Sequence, residues 1–274
     1  MKQFSQWIGT TASSSERADE RPLRLLAATL NLDVTAELKA GVVPAMWHWL
    51  YFLPDTPTAG LGLDGHPPRG EFLPPVELPR RMYAAGKATF FRHASIGETL
   101  QRDSTVADVV EKEGHEGPLV LVTVRSRIYG DQGPILDEEQ TIVYTAVPPS
   151  PPVETVQSAP SGDIELTVET STVMLFRFSA LTFNSHRIHF DLPYARSVED
   201  YSNLVVQGPM VALLALHVGA RLLQMAARTF AFRARAPFFV GDPIELRANR
   251  SATGSDIAAY RGDASPGMTA TITT

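Results

Sequence analysis

PMVALLALHVGARLLQMAAR, residues 209–228, has the spacing of a helix that is apolar around most of its circumference. A helix tolerates this only when protein surrounds it. His217, Arg221 and Gln224 interrupt the run, so it falls short of an unbroken membrane span. A sheet wrapped around a buried central helix satisfies the pattern. Immediately upstream stands Leu204-Val-Val-Gln-Gly208-Pro209. Glycine permits close backbone approach, and proline suits the first helical positions. Unbonded amides and the positive end of the helix dipole would face whatever sits at this terminus, although an ordinary helix start would use the same residues.

Some twenty residues further upstream lies the densest polar cluster of the chain, SALTFNSHRIHFDLPYA, residues 179–195. Within it, His186 and His189 supply imidazoles, the side chain suited to act as a base near neutral pH. Asn184 offers an amide that can orient water, and Asp191 a carboxylate that can orient an imidazole. A polar loop whose Asn and Asp make local turn bonds is the plainer alternative. The spacing of the two histidines lacks the Glu or third His of a helical zinc motif, and no metal is expected.

The rest of the chain reads as two related halves. VPPSPPVETVQSAPSGD, residues 147–163, is a proline- and serine-rich linker between a module at 1–146 and another at 164–274. Phe91–Leu100 and Phe232–Leu246 each read as strand, turn and strand, with Gly97 and Gly241 in the turns. Alternating runs at Leu119–Tyr129 and Met268–Thr274 read as the closing strands of each half, and Leu23–Leu32 reads as a helix. The expected class is α+β, in two modules.

Bulk composition narrows the functions. The 274 residues contain no cysteine, which removes disulfides, thiolate nucleophiles and Cys-based zinc sites. A formal net charge of −6 gives no basic footprint for nucleic acid or an anionic membrane. The first 22 residues lack the apolar core of a signal peptide, so a cytoplasmic location is expected. Gly60-Leu-Gly62-Leu-Asp-Gly65 matches a dinucleotide fingerprint by letter, but neither a strand before it nor a helix after it is expected, and it reads as a loop. Arg261-Gly-Asp263 likewise reads as a turn.

Phe183-Asn-Ser-His-Arg-Ile-His-Phe-Asp-Leu-Pro-Tyr-Ala195, followed by Val205-Val-Gln-Gly-Pro209, resembles the hydratase motif of the MaoC-like hot-dog family. His189 matches the family's catalytic His, Asp191 the acidic residue after it, and Gly208 the glycine whose amide binds the thioester oxygen. The family's catalytic Asp falls on Asn184 and its Asn on His186. Asn cannot act as a general base. Either His189 activates water held by Asn184, or His186 or Asp191 takes over the missing carboxylate's part.

The wider pattern, including Pro44–Phe52 and Arg69–Val76, is similar to the subgroup of itaconyl-CoA and mesaconyl-CoA hydratases and mitochondrial 3-hydroxyacyl-thioester dehydratases. The resemblance implies a double hot-dog with the active motif in its second half, acting on an enoyl-CoA thioester, with a C5 dicarboxylyl group the nearest class. It implies no cofactor beyond the coenzyme A of the substrate, and a homodimer. A free substrate carboxylate requires a cation, for which Arg187 and Arg81 are candidates. Trp47 and Trp49 read as core residues that could also line an acyl pocket. A dehydratase of fatty acid metabolism, a thioesterase and a non-catalytic acyl-CoA binder are the competing readings.

Overall fold

The computed structural model describes residues 3–114, 117–147 and 159–274. The chain divides into two compact units. The first is Met1–Val147 with Leu181–Ser185, and the second is Pro148–Ala180 with His186–Thr274. Most of the expected linker, at 148–158, lies outside the described residues.

The first unit contains β1 (Thr11–Arg17), α1 (Glu20–Leu30), α2 (Thr35–Lys39), β2 (Arg80–Phe90), β3 (Thr99–Gly114), β4 (Gly117–Gly130) and β5 (Gly133–Thr145). Its strands pair antiparallel in the order β1-β3-β4-β5-β2. Helix α1 stops at Leu30, short of the predicted Leu32, because Asn31 turns left-handed at φ 53° and returns its N–H to Ala27 O. Strand β4 alternates cleanly: Val120, Val122 and Val124 are buried, while Arg125 and Arg127 stand opposite Glu139 and Asp137 at 2.6 and 2.9 Å. Cross-strand pairs of opposite charge favour this register over its neighbours.

The second unit contains β6 (Ile164–Val168), α3 (Thr172–Leu181), α4 (Leu192–Ser197), α5 (Gly208–Leu223), β7 (Thr229–Ala234), β8 (Ile244–Ser251), β9 (Gly254–Tyr260) and β10 (Pro266–Thr273). The strand order β6-β8-β9-β10-β7 repeats that of the first unit, position for position. Helix α5 packs against all five strands. Every residue from Met210 to Leu216 is buried, as a helix apolar on all sides demands.

Several expectations need adjustment. Phe91–Glu98 connects β2 to β3 with the expected turn at Ile96-Gly97, the strand before it already ending at Phe90, and it is closed by the Glu98 carboxylate, which accepts from Ser95 N–H and the Arg92 guanidinium. Gly97 and Gly241 both turn with positive φ, 88° and 92°, at equivalent places in the two units. Leu119–Tyr129 is β4, whose counterpart is β9. The strand equivalent to β10 is β5, which the sequence reading passed over. Helix α5 ends at Leu223 instead of Arg228, because Gln224 adopts φ 55° and Arg228 N–H is already bonded to Thr273 O. Residues 60–66 and 261–265 form the expected loop and turn.

Gly219 sets how closely α5 can lie on the sheet. A Cβ there would come 2.6 Å from Ile272 Cδ1 and 2.9 Å from Ile257 Cδ1. Gly219→Leu should therefore overpack the second unit and cost about 1–3 kcal/mol, read from the midpoint of urea unfolding. An unchanged midpoint would mean that the helix does not seat on the sheet through this residue.

Candidate active site

Helix α3 ends in a turn in which Phe183 has φ 48°. A left-handed backbone at a bulky residue is costly and persists only where its surroundings hold it. Next come Asn184 and Ser185, which belong to the first unit, where Ser185 Oγ–H donates to Gly65 O at 2.5 Å. The chain then enters the second unit at His186, and Arg187–His189 forms one turn of 3-10 helix.

His189 is buried, with its Nδ1 2.7 Å from Val205 O. A carbonyl can only accept, so Nδ1 carries the hydrogen, and in the neutral form of the ring the lone pair falls on Nε2. Val205 N–H in turn donates to Ile188 O at 3.0 Å. On its other side, the strap Leu204–Val206 bonds through Val206 N–H to Phe238 O at 2.8 Å and through Leu204 O to Val240 N–H at 2.9 Å. The histidine is thus mounted on a backbone segment clamped from two sides, and that segment leads straight into α5.

Gln207 makes the junction. It is wholly buried, and its Nε2 donates to Leu175 O at 3.0 Å and Ser179 Oγ at 2.9 Å. Its backbone is extended while Gly208 and Pro209 open the helix, and the first return bond is Val211 N–H to Gln207 O at 3.3 Å. The Gly208 amide therefore lies ahead of the helical ladder, at the positive end of a 16-residue helix. An imidazole with a basic Nε2 and this amide are the parts needed to move a proton and steady a developing oxyanion.

Glu199 is a member of this neighbourhood that the sequence reading did not mark. Its Oε1 lies 3.1 Å from His186 Nε2, and both residues are only 4% exposed. The His186 and His189 rings meet edge to face, 5.5 Å apart at 86°. Asp191 is engaged locally: it caps α4 by accepting from Tyr194 N–H and takes two bonds from Arg187. The Arg187 guanidinium also stacks on Tyr194 at 4.2 Å. The Tyr194 amide and then Arg187 hold the Asp191 carboxyl below the usual carboxylate range.

The remaining candidates lie in the first unit. Trp47 is buried, and Trp49 Nε1–H donates to Glu138 Oε1 at 2.9 Å, inside a network that also joins His48 Nε2 to Glu138 Oε2 at 2.9 Å. Burial raises the Glu138 pKa, but His48, Gln140 and Trp49 overcome that and leave it below its ordinary value. Arg81 stands across from Tyr144 in the β2–β5 register, and the Arg69 guanidinium covers the same Tyr144 ring at 5.2 Å. Asp64 lies 3.8 Å from Arg69 and 3.1 Å from His66. Burial pushes the Arg81 pKa down. Among the described residues, no group of three or more His, Cys, Asp or Glu side chains is arranged to hold a metal ion.

Residues 46–240 match the profile of the family described as hydroxyacyl-thioester dehydratase type 2. The chain is 38% identical over 268 residues, 97% of its length and 96% of the relative's, to the mesaconyl-C(4)-CoA hydratase of Chloroflexus aurantiacus. In fold it resembles HtdX of Mycobacterium tuberculosis, with a TM-score of 0.70 at 15% identity over 96% of this chain and 98% of that one. A second Mycobacterium tuberculosis protein, described as having a double hot-dog fold, matches with a TM-score of 0.59 at 15% identity over 97% and 95% of the two chains. The fold is accordingly the double hot-dog.

Two outcomes follow from this geometry. Gln207→Ala should cost about 1–3 kcal/mol in urea unfolding, because it removes a buried donor from two acceptors at the root of α5; a cost near zero would show the junction is held otherwise. The stabilisation from the lowered Asp191 pKa is present above the ordinary carboxylate pKa and is lost as pH falls through the lowered value. Asp191→Asn should therefore flatten the decline of the unfolding midpoint between neutral pH and about pH 3, and an unaltered decline would contradict this.

Proposed function

Because this chain belongs to the hydroxyacyl-thioester dehydratase type 2 family and is a hydratase or dehydratase, we propose that it adds water reversibly across the double bond of an enoyl-CoA thioester with a C5 dicarboxylyl acyl group, such as itaconyl-CoA or mesaconyl-CoA. The observation that carries the proposal is the His189 Nδ1–H bond to Val205 O, which fixes a basic Nε2 on the strap that opens α5.

In the hydration direction, His189 Nε2 takes a proton from water as the water oxygen attacks the β-carbon. The electron pair of the double bond moves toward the thioester oxygen, where the Gly208 N–H and the dipole of α5 oppose the growing charge. Asn184, which cannot titrate, orients the water. The enolate collapses when the imidazolium returns a proton to the α-carbon, and His189 is regenerated. Dehydration runs through the same groups in reverse, consistent with the family's name.

The dicarboxylyl group is supported by the similarity to the Chloroflexus enzyme and by the arginines of the first unit. Arg69 and Arg81 converge on Tyr144, with Asp64 as the acidic neighbour of both. The Arg69 guanidinium also donates to Val76 O and Leu78 O, so Arg81 is the better candidate of the two for a substrate carboxylate. Arg187 suits the role less well, as Asp191 and Tyr194 already engage its guanidinium.

With a panel of enoyl-CoA substrates, enoyl absorbance should fall without release of free thiol, and faster for dicarboxylyl than for monocarboxylyl chains. His189→Ala should lower the rate by about 10³-fold and Asn184→Ala by about 10²-fold, with folding intact. Thiol release with the enoyl chromophore unchanged would instead identify a thioesterase. Binding without turnover would identify a carrier.

A further inference from the structure

We infer that Glu199 is the positioning residue that supplies the carboxylate missing at position 184, acting through His186 upon His189; this rests on the proposed hydratase chemistry. Nothing in the sequence marks Glu199, which follows α4 and lies 13 positions beyond His186. Burying a carboxylate is costly unless it is paired and hydrogen-bonded, so a Glu that is 4% exposed needs a partner. His186 is one such partner. Because a carboxylate can only accept, the 3.1 Å contact places a hydrogen on His186 Nε2 and fixes that ring's orientation. The oriented ring then stands edge to face with His189.

His189 is consequently held from two directions, by the Val205 carbonyl at Nδ1 and by the His186 ring against its own. When His189 takes the proton of water, positive charge appears one ring away from a buried carboxylate. A buried negative charge at that range stabilises the imidazolium more than it would in water. The family's carboxylate would touch the water itself; here that contact is left to Asn184, and the charge acts from behind the base. A purely structural pair would tether the loop after α4 to the histidine loop, and shape and hydrogen bonding alone would suffice for that.

Charge and shape separate in two variants of the full-length protein. Glu199→Gln retains an oxygen acceptor and the size of the side chain but removes the charge. Glu199→Asp retains the charge on a shorter arm. For hydration of the preferred enoyl-CoA, Glu199→Gln should lower kcat by about 10–100-fold with KM within about twofold, while Glu199→Asp should recover most of the lost rate. Thermal unfolding of each variant checks that the fold is kept. Should Glu199→Gln fail to fold, His186→Gln, which breaks the link to His189, should give the same kcat loss at constant KM. A folded Glu199→Gln enzyme with wild-type kcat would overturn the inference, as would a change confined to KM or an Asp variant no faster than the Gln one. These outcomes are distinct from failure of the hydratase reading, in which the wild-type protein itself would not hydrate enoyl-CoA.

Discussion

One hydrogen bond, from His189 Nδ1–H to the carbonyl of Val205, joins the chemistry to the fold. It leaves Nε2 for the proposed proton transfer, and it seats the ring against Val205, three residues before the helix whose first amide is proposed to meet the oxyanion. The bond holds only while the strap Leu204–Val206 is held, and the strap's position follows from α5. That helix is buried because its sequence offers no polar face, and its root is locked by the buried amide of Gln207. A demand for burial thus becomes, through a few backbone bonds, the placement of the imidazole proposed to accept a proton.

Much of this was legible in the sequence. The apolar run at 209–228 required a surrounding sheet, and the Gly-Pro pair before it marked the helix start within a residue. The His-rich segment and the glycine matched the order of a family motif. The repeat of the two halves was also visible, and the strand orders β1-β3-β4-β5-β2 and β6-β8-β9-β10-β7 give it structural form.

What escaped the sequence reading did so for physical reasons. Strand β5 contains Asp137-Glu-Glu-Gln140, four polar residues in a row that hide any strand alternation. Only the fold reveals that Asp137 and Glu139 answer arginines on β4, while Glu138 is buried among His48, Trp49 and Gln140. Glu199 was invisible for a similar reason, since its bond to His186 spans a turn and a helix and follows no fixed spacing. Asn184 and Ser185 grouping with the first unit is likewise a tertiary fact. In each case a polar residue is explained by a partner that local pattern does not name.

The central claim is that water is delivered to carbon rather than to the carbonyl. Turnover of a dicarboxylyl enoyl-CoA in water enriched in oxygen-18, followed by mass spectrometry of the product, tests it most directly. The account predicts one labelled oxygen in a hydroxyl on the β-carbon of an intact CoA thioester, with that incorporation lost in His189→Ala. Label in a newly freed carboxylate, with coenzyme A released, would contradict it.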